Sequence, residues 1–101
     1  MSGCRPLTKE MLAGAIKVSI NDKDMDFTKA KQEALKEASA TVASPVLMAW
    51  YEKRTGRYSP DFECCGEEKP SWMIYAESRG GNMVVDINEG EYVFMFADFE
   101  G

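Results

Sequence analysis

The sequence predicts an α+β fold in which one amphipathic helix packs on a four- or five-stranded, mostly antiparallel sheet. The hydrophobic pattern has a helical period over residues 27–43 and strand periods after Pro45. Turn residues such as glycine and asparagine separate the later segments, which is typical of antiparallel strands. The predicted order is therefore a strand, the helix and four more strands. A chain of 101 residues is long enough for one domain with one core, covering residues 1–101.

The first strand is predicted at residues 15–20, where three apolar residues alternate with Lys17 and Ser19. Residues 1–12, which precede it, are expected to be mobile or to form a short helix. A polar turn over residues 21–26 then leads into the main helix.

The helix predicted at residues 27–43 has an apolar side and a charged side. Asp26 or Thr28 can cap its first turn, since a short side-chain oxygen accepts hydrogen bonds from the unpaired amides there. Small side chains on the apolar side would let a sheet approach the helix backbone closely. At 100° per residue, that side contains Phe27, Ala30, Ala34, Ala38, Thr41 and Val42.

Four strands are predicted after the helix, because Ser44 and Pro45 stop the helical conformation. The first of the four shows little alternation, so it is expected in the middle of the sheet with both faces covered. Tight turns are predicted at residues 79–82 and 89–90, where glycine and asparagine accept the positive φ that such turns require. The four strands span residues 46–52, 71–78, 83–88 and 92–97.

The pattern leaves the partner of the first strand open. A helix that crosses between adjacent parallel strands makes a right-handed connection, whereas a first strand paired with the last allows a fully antiparallel sheet. In both cases one helix covers only two or three strands, although many strand residues are large and apolar. A homodimer formed through the sheet face or edge is predicted to cover the excess.

Composition excludes several classes of function. A formal net charge of −5 argues against a nucleic-acid partner, because phosphate-binding surfaces need clustered Lys and Arg. The absence of histidine removes Ser-His-Asp and Cys-His catalysis and every zinc site that uses imidazole. No apolar run approaches the length of a signal peptide or a membrane span, so the cytoplasm is the expected location. The question of enzymatic activity stays open, and the composition favours a protein that is not an enzyme.

Residues 53–70 form the one long irregular segment, and loops of this length often carry function. One hypothesis is a recognition loop in which Arg54 and Arg57 bind a carboxylate or phosphate and Tyr58 supplies an aromatic surface. Trp50 and Trp72 flank the loop and could form its apolar floor. The alternative is a solvated hairpin extension in which acidic residues of the loop pair with both arginines.

Cys64 and Cys65 are adjacent in this loop. The simpler interpretation is two free thiols, one buried and one exposed. The alternative is a thiol pair for redox sensing, persulfide handling or soft-metal capture. Nearby glutamates disfavour a strongly activated thiolate, because negative charge raises the pKa of a thiol. Neither a resident metal nor a cofactor is predicted.

Residues 44–96, preceded by MDFTKAKQEALKEA, resemble a family of small uncharacterised proteins from anaerobic bacteria and archaea. The resemblance covers most of the chain and contains no catalytic signature. It implies a compact α+β domain and carries no functional residue over. It also implies an anaerobic setting, which is consistent with reduced cysteines.

Three classes of function remain from the sequence. The favoured one is a non-enzymatic binding or assembly module that associates with itself. The second is a thiol-dependent redox or metal-handling protein centred on Cys64 and Cys65. The third is a small enzyme that uses arginine and carboxylate side chains of the long loop.

Overall fold

The computed structural model describes residues 12, 14–21, 23–59, 71–81 and 83–98. These residues form an open five-stranded sheet with helices on its two faces, and the α+β prediction is confirmed. The elements in chain order are β1 (Ile16–Val18), α1 (Phe27–Thr41), β2 (Pro45–Glu52), β3 (Arg57–Ser59), α2 (Ser71–Ser78), β4 (Met83–Ile87) and β5 (Tyr92–Asp98).

The strand order in the sheet is β1-β4-β5-β2-β3. Three of the neighbouring pairs are antiparallel, and β1 pairs with β4 in parallel, so the prediction of a mostly antiparallel sheet is confirmed. Neither predicted partner of the first strand is correct, since β1 lies beside β4. The chain therefore leaves β1, crosses β4 and β5 through α1, and returns to the sheet at β2 with the same strand direction as β1.

Helix α1 begins at its predicted position. Asp26 is the N-cap, and its Oδ1 accepts a hydrogen bond from the Lys29 amide at 2.9 Å. The helix ends at Thr41, two residues earlier than predicted, because Val42 already has extended backbone angles. Ala30, Ala34 and Ala38 recur every fourth residue and are fully buried against the sheet.

The alanines of α1 lie over the aromatic centre of the sheet. Phe94 is fully buried there, and its ring centroid lies 5.5 Å from that of Phe27 at the start of α1. The Phe27 ring also contacts Trp50 on β2, with centroids 4.5 Å apart. This cluster, defined by α1 and the side chains facing it from the sheet, is named the first core.

Residues 71–78 form a helix, so the strand predicted for this segment is wrong. Residues 72–76 are an unbroken apolar run, and periodicity alone does not separate a short buried strand from a short helix. Trp72, Met73 and Ala76 are buried while Ile74 is exposed, which is the spacing of one helix face. In a strand, Trp72 and Ile74 would share a face.

The glycine pair after α2 caps this helix instead of forming the predicted hairpin turn. Gly80 has a φ of 82°, and the Gly81 amide donates a hydrogen bond to the Ala76 carbonyl at 2.7 Å. A Cβ on Gly81 would lie 2.8 Å from that carbonyl oxygen, which explains why glycine is needed at this close approach.

Helix α2 covers the sheet face opposite α1. Trp72 stacks on Tyr51 of β2, with ring centroids 5.5 Å apart and an interplanar angle of 4°. The cluster formed by α2, Leu12 and the side chains facing them is named the second core. The homodimer prediction assumed that this face lacks cover, and that assumption is wrong.

Strand β3 lies within the segment predicted to be an irregular loop. It pairs with β2 through a four-residue turn, with Glu52 opposite Arg57. Gly56 in this turn has a φ of 76°, and its amide donates to the Glu52 carbonyl at 2.9 Å. The remainder of the predicted loop, residues 60–70, lies outside the described residues, as does all of the 1–12 segment except Leu12.

Asp86 of β4 is the buried charged residue among those described, with 2% of its surface exposed. Its Oδ2 lies 3.2 Å from the Nζ of Lys17 on β1, and Lys17 keeps 57% of its side chain exposed. Its Oδ1 accepts a hydrogen bond from the buried amide of Gly90 at 2.6 Å. Asp86 therefore holds both the edge strand β1 and the β4–β5 turn.

We expect Asp86→Ala to lower the free energy of unfolding by about 1–3 kcal/mol, because the Gly90 amide stays buried without an acceptor. Asp86→Asn keeps an acceptor oxygen for the Gly90 amide, and it replaces the oxygen that faces Lys17 by an uncharged NH2 group. Its cost should be below about 1 kcal/mol, since the exposed Lys17 ammonium can turn to water. Urea denaturation of both variants measures the difference, and equal losses would contradict this assignment.

Within the described ranges, no helix is both long enough and apolar enough to cross a bilayer.

Candidate functional site

Three connections meet at one end of the sheet and line an open cleft of about 490 Å³. The segment between β1 and α1 contributes Lys23 and Met25. The β2–β3 turn contributes Lys53 and Arg54, while Glu91 and Tyr92 come from the end of the β4–β5 turn and the start of β5. A volume of this size lies in the lower part of the range of small-molecule sites, about 300–1,000 Å³.

Hydrogen bonds fix the three connections relative to one another. The Lys53 amide donates to the Glu91 carbonyl at 2.9 Å, which joins the two hairpin turns. Asn88 joins the third segment, because its Oδ1 accepts from the Ile20 amide at 2.8 Å and its Nδ2 donates to the Ile20 carbonyl at 3.1 Å. The walls of the cleft are therefore held by hydrogen bonds of the backbone and of the Asn88 side chain, none of which uses a side chain that lines the cleft.

The β4–β5 turn has a backbone conformation that few sequences adopt. Asn88, Glu89 and Gly90 all have positive φ values, of 54°, 56° and 92°. Asparagine and glycine tolerate this region, whereas glutamate adopts it at some cost. The turn brings Glu91 beside Asn88, whose Nδ2 donates to the Glu91 Oε1 at 3.4 Å. This confirms a tight turn at residues 89–90.

Four charged side chains line the cleft. Lys23, Lys53 and Arg54 supply three cations to its lining, and Glu91 supplies one carboxylate. Among the described residues, Glu91 forms no ion pair within 4.0 Å with any of these cations. The lining thus presents three cations and one carboxylate that forms no ion pair with them, on a protein whose formal net charge is −5.

Tyr92 forms the buried wall of the cleft, with 5% of its surface exposed. Burial raises the pKa of its phenol above the usual 10.0, and Glu52, Glu91 and Asp26 act in the same direction against an opposing effect of Arg54. The hydroxyl is therefore neutral at pH 7 and can donate a hydrogen bond. No other described residue forms a hydrogen bond with it, so this donor is available to a ligand.

The structure separates the residues of the predicted recognition loop. Arg54 lines the cleft, whereas Arg57 does not. Arg57 lies opposite Glu52, which lies opposite Tyr92, so the three share one row on the α1 face of the sheet. Tyr58 is half-buried and packs against the second core on the opposite face. Among the described residues, neither arginine has a carboxylate within 4.0 Å.

Trp50 and Trp72 do not form one apolar floor. Trp50 packs in the first core, and Trp72 is buried in the second, so the sheet lies between them. Both residues contribute to the core. Their spacing along the chain suggested a shared site only because the segment containing Trp72 was predicted to be a strand.

Cys64 and Cys65 lie outside the described residues, so the structure gives their thiols no position. Among the residues that it does describe, no group of three Cys, Asp or Glu side chains could hold a metal ion.

Sequence reasoning did not identify four residues of the cleft, which are Lys23, Met25, Glu91 and Tyr92. Their positions in the sequence are scattered, and only the sheet order brings them together. The tight-turn signal at residues 89–90 was present in the sequence, and it placed Glu91 at a hairpin end. It did not show which other turn would lie beside it.

Comparisons with known proteins agree with the fold and assign no activity. The model of a domain of unknown function, DUF5619, matches residues 13–96. An uncharacterised protein of Archaeoglobus fulgidus is 33% identical over 79 residues, which are 78% of this chain and 82% of that protein. The crystal structure of a novel protein from the same archaeon superimposes with a TM-score of 0.71 and 31% identity, covering 86% of this chain and 96% of the other.

Proposed function

Because the chain belongs to the DUF5619 family, whose function is unknown, we propose from the cleft alone that the protein is a non-enzymatic module that binds a small dicarboxylate-bearing molecule. Lys23, Lys53 and Arg54 contact the acidic groups of the ligand, and Met25 and Tyr92 contact its carbon chain. Nothing in the family comparisons favours the thiol-dependent alternative for Cys64 and Cys65.

One observation carries the proposal: three cations line the same small cleft as Tyr92, whose solvent-accessible hydroxyl forms no hydrogen bond with another described residue. Like charges on neighbouring turns repel one another, and an anion bound between them would relieve that repulsion. A guanidinium binds a carboxylate through two parallel hydrogen bonds, which suits Arg54 to this role. The neutral Tyr92 hydroxyl adds a donor that needs no change of protonation.

Binding is expected to depend on Arg54. Titration of succinate, glutarate, L-aspartate and L-glutamate into isotope-labelled protein should give, for at least one of them, saturable amide shifts at the cleft residues. Arg54→Ala should weaken that binding about tenfold, because the arginine contributes a charge-assisted hydrogen bond from an exposed position.

Arg79→Ala is the matched control, because Arg79 is also exposed but follows α2 on the other side of the sheet, over the Tyr75 ring. It should leave the affinity unchanged. If none of the four acids shifts the cleft amides, or if Arg54→Ala binds as well as the wild type, the proposed function is wrong.

We also propose that this module works in the cytoplasm as a homodimer. The support for the location is the odd number of three cysteines, which fits reduced thiols better than a disulfide framework. The support for the dimer is an open sheet whose edges are not closed into a barrel, together with exposed apolar side chains at Val46 and Ile74.

Light scattering during size exclusion is expected to give twice the chain mass of 11.3 kDa. A double variant, Val46→Lys with Ile74→Lys, should return the monomer mass while the circular dichroism spectrum stays unchanged. A monomer mass for the wild type at high micromolar concentration would contradict the dimer.

A further inference from the structure

A ligand that carries only acidic groups does not explain why Glu91 lines the cleft. Glu91 lines the same space as the three cations, and a bound carboxylate near it would be repelled. Glu91 also does not neutralise its neighbours directly, since no described cation lies within 4.0 Å of its carboxylate. A cleft lined by positive and negative groups that do not pair with one another is complementary to a ligand that carries both signs.

We propose that the ligand is a zwitterion, an acidic α-amino acid whose two carboxylates contact Lys23, Lys53 and Arg54 and whose ammonium group donates to Glu91. This inference rests on the proposed function, and it adds the recognition of an amine to the recognition of acidic groups.

Glu91 is positioned to accept a hydrogen bond from an ammonium group. Its carbonyl accepts from the Lys53 amide at 2.9 Å, and its side chain receives the Asn88 Nδ2 at 3.4 Å. The backbone of Glu91 is thus fixed beside Lys53, while its side chain stays exposed and retains acceptor capacity. An ammonium group donates hydrogen bonds and accepts none. The Lys and Arg side chains of the cleft would repel it, whereas the Glu91 carboxylate would attract it.

The neighbouring charges favour the same assignment. Glu52 and Asp26 lie close enough to Tyr92 to raise the pKa of its phenol, along with Glu91. Three carboxylates therefore lie near Tyr92, where Arg54 opposes their effect. A dicarboxylate without an amine has no group that could pair with any of them.

The test compares each amino acid with the matching acid that lacks the amine, so that only the ammonium group differs. The wild type should bind L-glutamate at least about tenfold more tightly than glutarate, or L-aspartate more tightly than succinate by the same factor. Glu91→Gln keeps the size of the side chain and removes its charge. This variant should reduce the difference in affinity within each pair to less than about twofold, mainly because it binds the amino acid more weakly.

Glu89→Gln is the matched control, because Glu89 is exposed in the same turn and does not line the cleft. It should preserve the preference for the amino acid. Equal affinities within both pairs, or a preference that survives Glu91→Gln, would overturn the zwitterion inference while leaving the proposed function intact. Failure of all four acids to shift the cleft amides would overturn the proposed function itself.

Discussion

Replacing Phe94 by alanine is expected to lower the free energy of unfolding by about 3–5 kcal/mol. Phe94 is fully buried in the first core, between the alanine face of α1 and the ring of Phe27. Truncation removes the apolar surface of the ring and leaves a cavity, and the close approach of α1 to the sheet limits how far the helix can move to fill it. Domains of this size are stable by only about 5–15 kcal/mol, so the loss is a large fraction of the total.

Denaturant unfolding measures this loss, and Phe94→Leu is the control. Leucine keeps most of the buried volume, so its cost should stay below that of alanine. A loss of less than about 1 kcal/mol for Phe94→Ala would mean that this residue is not at the centre of the first core.

Replacing Trp72 by alanine should also lower the free energy of unfolding by about 3–5 kcal/mol. Trp72 is 2% exposed and stacks on Tyr51, so it attaches α2 to the second face of the sheet. The indole is the largest side chain that α2 inserts into the second core. Its removal should loosen the whole of α2, and the near-ultraviolet circular dichroism signal of the stacked rings should fall with it.

Ile74→Ala distinguishes the helix from the strand predicted for this segment. In the helix, Ile74 lies away from the sheet and is 37% exposed, so its truncation should cost less than about 1 kcal/mol. In a strand, Trp72 and Ile74 would point to the same face and would both be costly to truncate. Similar large losses for the two variants would contradict the helical assignment.

The fold class was predictable because its main signals are local. The periodic alanines of α1 and the Asp26 cap are visible in the sequence, and both are found as expected. The tight turn before β5 was equally clear. Strand order was not predictable, since the parallel pairing of β1 with β4 joins segments almost 70 residues apart, and the Lys17–Asp86 contact spans 69 positions.

The error at residues 71–78 has a physical cause. The apolar residues Met73, Ile74 and Ala76 would lie on both faces of a strand, and a strand buried on both faces has this pattern. The spacing of Trp72, Met73 and Ala76, with Gly80 and Gly81 following, was a helix signal with a glycine cap. The same glycines also suit a hairpin turn. The residues of this segment alone therefore do not distinguish a helix with a glycine cap from a strand followed by a hairpin.

The cleft was only partly predictable for a related reason. Arg54 was a candidate because it lies in a long polar segment, and the structure places it in the lining. Lys23, Glu91 and Tyr92 come from two other connections, which the sheet order brings beside the β2–β3 turn. No local pattern marks residues that converge through tertiary structure, so recognition in this protein depends on topology more than on a motif.

The central claim is that the cleft holds the ligand, and intermolecular nuclear Overhauser effects test it most directly. In an isotope-filtered experiment on the protein with L-glutamate, the ligand methylene protons should show contacts to the Met25 methyl group and the Tyr92 ring, which line the cleft. Those contacts should be lost in Arg54→Ala at the same ligand concentration. Contacts to α2 residues such as Ile74, or no contacts to the cleft at a concentration that saturates the amide shifts, would contradict the claim.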